Sequence, residues 1–252
     1  MLRYNIWSPK FDPLSGGIRV LYGLRSWLET KGQTVDINGP INGNFIAIYP
    51  EILRVNPFKA TNIVRYVLQK PGLMTTFGQP GPTSFPDEKV FVFSRLYDTI
   101  GVDEDHIMFL PILNLHLFKD QKKQRKGKCV YVRRPSGEPV VDGFLVNNII
   151  NDQVALADYL NTVEVMYGYG PATAMYDIAR LCGCRVVIMP TEDKFKQTRE
   201  EFAKYELCQD FNGISWGADE GKKLDSDSFR ECYINLRKLF DKKIDTFIEL
   251  TQ

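Results

Sequence analysis

The residues able to carry chemistry gather in short glycine- or arginine-bearing stretches, each following an apolar run. The most informative is 167–190, YGYGPATAMYDIARLCGCRVVIMP. Tyr167, Gly168, Tyr169 and Gly170 form a flexible aromatic turn, and Pro171 suits the first position of a helix. Ala172, Met175, Ile178, Ala179 and Cys182 then recur at helical spacing, with Gly183 as a stop. Residues 186–189 are all apolar and closed by Pro190, which suits a parallel strand covered on both faces. A glycine loop feeding a helix N-terminus offers backbone N–H groups and the positive end of a helix dipole, a setting for phosphate. The backbone at Gly170 and the Thr173 hydroxyl are candidates for a phosphate or a ribose. Tyr167 or Tyr169 could stack on a base, or simply pack against a neighbouring turn.

Arg133 and Arg134 directly follow an apolar strand at 129–132. Adjacent guanidinium groups at a strand's carboxyl end can grip a diphosphate in bidentate fashion; the alternative is a charged turn, since Pro135-Ser136-Gly137 comes next. Ser15-Gly16-Gly17 opens the first helix after the first strand, so Gly16 and Gly17 allow close backbone approach to an anion. SGG is equally an ordinary turn, and neither a Walker loop nor GxGxxG is present. Glu51, beyond a strand ending at Tyr49-Pro50, could accept a hydroxyl proton or orient a sugar hydroxyl, or be a solvated loop residue. Ser94, Arg95 and Tyr97 stand beyond a strand at 89–93 on the same side.

These loops must be positioned by regular elements. Strands are expected at 2–7, 34–37, 45–49, 89–93 and 106–110, with a helix carrying Ile18, Leu21, Leu24 and Leu28 on one face. A second helix is expected from Asn56-Pro57 to about Gln69. The alternation implies a parallel sheet with crossovers. It restarts with strand 129–132, helix 152–160 and strand 163–166. The chain closes on a long helix with a capping box at 228–231 and an apolar stripe of Phe229, Tyr233, Leu236, Phe240, Ile244 and Phe247. The basic stretch 119–128 separates the halves. It carries no interleaved aromatic residue for base stacking and reads as a solvated linker. The expected organisation is α/β with domains at 1–118 and 129–252, two parallel sheets facing across a cleft, ligands at the strands' carboxyl ends.

Composition narrows the classes. The 252 residues are 44% apolar and 25% charged, with a formal net charge of +1, so no global field draws the chain to nucleic acid or anionic membrane. Five cysteines, with only His106 and His116 beside them, argue against a zinc site or a disulfide framework. The N-terminus lacks an apolar leader core and no segment is long enough to span a membrane, so a cytoplasmic setting is expected.

The stretches SGGIRVLYGLRSWLETKGQTV and IAIYPEILRVNPFKATNIVRYVLQKPG resemble the N-terminal domain of GT-B nucleotide-sugar glycosyltransferases. KCVYVRR and LADYLNTVEVMYGYGPATAMYDIARLCGCRVVIMP resemble their C-terminal donor-binding domain, nearest to the retaining, family-4-like branch. The resemblance implies two Rossmann-like domains and a final helix crossing back to the first. It implies transfer of a sugar from a nucleoside diphosphate to a saccharide or other hydroxyl acceptor, with no further cofactor; no DxD pair stands out for a metal, so metal independence is expected. Arg133 and Arg134 would then stabilise the departing diphosphate, while Asp177 and the Glu51, Ser94, Arg95 and Tyr97 group would orient sugar or acceptor. An inverting reaction would need Glu51 or Asp12 as base. One departure stands out: the family's second motif glutamate falls on Ile178, one residue from Asp177, and that step rotates a helical side chain by about 100°. An epimerase-like enzyme or a catalytically weak nucleotide-sugar binder is the alternative.

Overall fold

The computed structural model describes residues 2–133, 141–170, 173–192 and 196–252. They form two compact units, 1–112 with 235–252, and 113–234. In chain order the first unit holds β1 (Arg3–Ile6), α1 (Gly16–Thr30), β2 (Val35–Ile37), β3 (Phe45–Pro50), β4 (Asn62–Val67), the short antiparallel pair β5 (Thr75–Thr76) and β6 (Gln79–Pro80), and β7 (Lys89–Val92). The second holds β8 (Lys128–Val132), β9 (Phe144–Leu145), α2 (Gln153–Leu160), β10 (Val165–Tyr169), α3 (Ala174–Leu181), β11 (Arg185–Met189), α4 (Arg199–Phe202) and β12 (Ile214–Trp216). The last helix, α5 (Ser226–Thr251), begins among second-unit residues and from Asn235 onward counts with the first.

Each unit is a Rossmann-like α/β layer built on a five-stranded parallel sheet, ordered β2-β1-β3-β4-β7 in one and β12-β11-β10-β8-β9 in the other. Numbered within its own unit, each sheet runs 2-1-3-4-5. The first sheet's core face carries Tyr4, Ile6, Ile46, Ile48, Val64, Tyr66 and Phe91. It packs against Val20, Leu21, Leu24 and Leu28 of α1 and against Phe240, Ile244 and Phe247 of α5. The rings of Tyr4 and Phe91 lie 5.9 and 4.7 Å from that of Phe247. On the other face Phe45, Ala47 and Tyr49 are covered by Leu53 and Phe58. The apolar stripe read from α5 is thus divided: Phe240, Ile244 and Phe247 serve the first unit's core, while Phe229 and Tyr233 are buried on the part of α5 that counts with the second.

Several expectations need correction. Residues 57–69 form no helix. The Asn56 side chain accepts the Ala60 N–H at 2.9 Å, closing a turn in place of an N-cap, and the following NIVRYV becomes β4 between β3 and β7. The β-branched and aromatic side chains there suit a pleated, buried surface better than a helix. Residues 106–110 make a single bridge, Ile107 to Val92, after a short 3-10 turn at Glu104–His106. Ser228 lies inside α5, and the Asp225 carboxylate receives its N–H at 3.0 Å. The basic stretch 119–128 belongs to the second unit, where Asp120 pairs with Arg125 and Asn161 accepts the Gln121 N–H at 2.7 Å.

No helix of the described residues is long and apolar enough to cross a membrane. Phe247 joins α5 to the first sheet, so Phe247→Ala should destabilise the protein by about 3–5 kcal/mol, the range for emptying an aromatic core site. Urea denaturation followed by tryptophan fluorescence measures this.

Candidate functional site

In both sheets the chain leaves the first strand to one side and returns on the other. The carboxyl ends on either side of such a switch are the usual ligand position in open parallel sheets. In the second unit this point lies between β8 and β10. Arg133 follows β8, and its N–H donates to the Tyr169 carbonyl at 3.2 Å. Gly170 follows β10 with φ of 119°, and a Cβ built on it would stand 3.4 Å from the Arg133 Cβ. Thr173 caps α3, its hydroxyl accepting the Met175 N–H at 3.4 Å. Arg133 and Gly170 thus adjoin at the carboxyl ends of β8 and β10, and Thr173 stands at the α3 N-terminus. Arg134, Pro171 and Ala172 lie outside the described residues.

Two side chains that sequence reasoning missed build this end of the second sheet. Tyr176, fully buried on α3, lies over Gly168: a Cβ there would fall 2.7 Å from the ring's Cζ and Oη. Its hydroxyl donates to the Gly170 carbonyl at 2.9 Å, and burial pushes its pKa well up, so it stays a donor. Asn147 clamps the end of β8, accepting the Val132 N–H at 3.0 Å and donating to its carbonyl at 2.7 Å. The sequence places Tyr176 on the helix after the glycine turn but does not show that its ring covers Gly168. Nothing in the sequence singles out Asn147.

Alternation along β10 puts Tyr167 and Tyr169 on the face opposite Gly168, and hence away from α3. The Tyr167 hydroxyl donates to Asp219 at 3.4 Å, and Asp219 holds Arg185 at 3.0 Å. The Tyr169 hydroxyl accepts the Val141 N–H at 3.2 Å. Both hydroxyls are thus engaged within the second unit. Asp177 is engaged too: it is buried, paired with fully buried Arg180 at 2.8 Å and bonded by the Tyr205 hydroxyl at 2.7 Å. Arg180 in turn lies 3.8 Å over the Phe229 ring. Burial pushes the Asp177 carboxyl up and Arg180 pulls it back. This carboxylate neutralises an internal guanidinium; it does not reach for a ligand.

In the first unit the same place lies between β1 and β3. Ser15 caps α1 through the Ile18 N–H at 3.4 Å, so Gly16 and Gly17 form the helix's first turn. Neither glycine is forced by crowding: a Cβ at 17 would touch only Leu68 at 3.6 Å and one at 16 nothing. Glu51 follows β3 and is 3% exposed, so it is no solvated loop residue. The Leu68 N–H donates to its carboxylate at 2.8 Å. Burial raises its pKa from 4.5 to about 7, with the Leu68 N–H and Arg65 opposing that rise. Gly81 packs on the Glu51 carbonyl, where a Cβ would come within 2.7 Å.

The remaining candidates are held by local structure. Ser94 is fully buried and caps a 3-10 turn through the Leu96 N–H at 3.1 Å; Arg95 pairs with Glu104; Tyr97 packs with Val67, Phe85 and Ile107. Asp12 accepts the Leu14 N–H at 2.9 Å in an exposed loop. Among the described residues no group of three or more His, Cys, Asp or Glu side chains is placed to hold a metal ion. Comparison of the chain with protein-family models, curated proteins and solved structures finds no match in any of the three.

Two outcomes follow from this geometry. Gly168→Ala should cost about 1–3 kcal/mol, as overpacking does, because the Tyr176 ring occupies the space; chemical denaturation checks this. The raised Glu51 pKa means the folded protein holds that proton more tightly than the unfolded chain. Its contribution is present below pH 4.5 and is lost as pH rises through about 7. Glu51→Gln should therefore match the parent near pH 4.5 and exceed it by roughly 3 kcal/mol at pH 8, at about 1.4 kcal/mol per pKa unit. Identical pH–stability curves for the two proteins would rule this out.

Proposed function

We propose that this chain is a nucleotide-sugar glycosyltransferase of the GT-B type. In this reading the second unit holds a nucleoside-diphosphate sugar, and the sugar passes to an acceptor hydroxyl with retention and without a metal. The observation that supports it is the juxtaposition of Arg133, Gly170 and the α3 N-terminus at the carboxyl ends of β8 and β10. A diphosphate there would meet a guanidinium and a helix dipole, two fixed sources of positive potential for the charge that develops as the sugar departs. Retention asks for no strong protein base. Glu51 and the α1 N-terminus, at the equivalent place in the first unit, form the acceptor side of the reading.

A second reading, a binder of nucleotide sugars with little or no turnover, is favoured by α3 itself. Ile178, which stands where the resemblance implies a glutamate, is buried, and its neighbour Asp177 is tied to Arg180 and Tyr205. Both readings require the diphosphate site.

Titration calorimetry with UDP, GDP and their nucleosides tests that site. Arg133→Ala should weaken a nucleoside diphosphate by about 10- to 100-fold, the worth of a charge-assisted hydrogen bond, and leave the nucleoside nearly unchanged. Equal loss for both would remove Arg133 from the phosphate role, and binding of no nucleoside diphosphate would sink both readings. Nucleoside diphosphate released only when an acceptor is present would separate transfer from binding, whereas an altered sugar without release would indicate the epimerase-like alternative.

A further inference from the structure

The basic stretch 119–128 contains no aromatic residue, yet the fold supplies one. Three of its cations are paired: Lys122 with Asp227 at 3.0 Å, Lys123 with Asp158 at 3.9 Å, and Arg125 with Asp120. Lys126 and Lys128 are exposed, and among the described residues neither has a carboxylate within ion-pair distance. The backbone between them is fixed. The Lys126 N–H donates to the Thr162 carbonyl at 3.0 Å, and the Gly127 carbonyl accepts the Glu164 N–H at 3.3 Å. Tyr159 arrives from α2, its ring 4.8 Å from that of Phe144, and its hydroxyl has no hydrogen-bond partner among the described residues. Gln124, Lys126, Lys128, Tyr159 and Thr162 line a groove of about 300 Å³.

We propose that this groove binds a small, soluble phosphorylated molecule, with its phosphate between Lys126 and Lys128 and a planar or apolar body against Tyr159. Ammonium groups are compact point charges suited to phosphate. Lys126 and Lys128 both line the groove, so an anion there would meet two ammonium groups. The volume lies at the low end for small-ligand pockets, which favours a metabolite-sized ligand over a polymer. A net charge of +1 adds no general pull toward nucleic acid. Lys128 opens β8 and Arg133 follows its last residue, so this site stands at the opposite end of the strand from the proposed diphosphate site.

The test is an amide chemical-shift titration of the full chain with phenyl phosphate and, separately, inorganic phosphate. Phenyl phosphate should shift the amides of Lys126, Gly127, Lys128, Tyr159 and Thr162, and bind about tenfold tighter than inorganic phosphate through the ring contact. Lys126→Gln with Lys128→Gln should lower that affinity at least about tenfold with no change in Tm, both residues being exposed. Tyr159→Leu should reduce phenyl phosphate to the level of inorganic phosphate. The proposal is overturned by shifts confined to residues 133 and 170–174 or by no shifts at millimolar ligand. Equal affinity for both probes, meaning an adventitious ion only, also overturns it, as does unchanged binding in the double lysine variant. Tighter binding at the groove by a single-stranded oligonucleotide or an anionic vesicle than by phenyl phosphate overturns it as well.

Discussion

The ring of Tyr176 occupies the space above Gly168, and the carboxyl end of the second sheet depends on that contact. Because residue 168 has no side chain, α3 can lie close to β10 and aim the Tyr176 hydroxyl at the Gly170 carbonyl. That bond fixes the turn where φ is 119°, a conformation open to glycine. Thr173 caps α3, and with no side chain at 170 the backbone there lies close to Arg133. The two glycines of YGYG thus have separate jobs, one sterically required by a ring and the other by the backbone angle.

Buried charge is used in two ways. Arg65 and Glu88 pair at 2.7 Å, and the guanidinium also bonds the Pro50 and Leu53 carbonyls at 2.8 Å, tying the loop after β3 to the sheet. Asp177 and Arg180 do the same inside the second unit, with Tyr205, the Asn212 carbonyl and the Phe229 ring as further partners. Both pairs satisfy one charge with another and are architectural. Glu51 differs. Its buried carboxyl has backbone N–H contacts but, among the described residues, no bonded cation, so desolvation dominates and its proton exchanges near neutral pH. That property suits a group that takes and gives a proton, and it distinguishes Glu51 from the other buried acids.

Much of the fold was legible. Residues 129–132, 152–160 and 186–189 became β8, α2 and β11 within a residue or two, because apolar runs and caps such as Asp152 act locally. The reading of 57–69 failed because Asn56-Pro57 serves equally as helix start or turn. Only the gap between β3 and β7 decided that NIVRYV would be a strand. Of the site, Arg133 was legible as a strand-end residue and Gly170 as the glycine before a helix, whereas the helix start read at Pro171 falls at Ala174, with Thr173 as the cap. The positions of Tyr167, Tyr169 and Asp177 were not, since a strand's facing and a helix's rotation are set by what packs on them.

The sequence by itself determined most of the strands, helices α1 and α2, the glycine turn before α3, and the arginine after β8, all products of short-range spacing. Only the tertiary structure decided strand order, and with it which strand ends adjoin. It decided that Glu51 is buried and that Asp177 answers an internal arginine. It also brought Tyr159 beside lysines whose own stretch contains no ring. Each of these rests on contacts between residues far apart in the chain, and burial and pairing exist only once those contacts form.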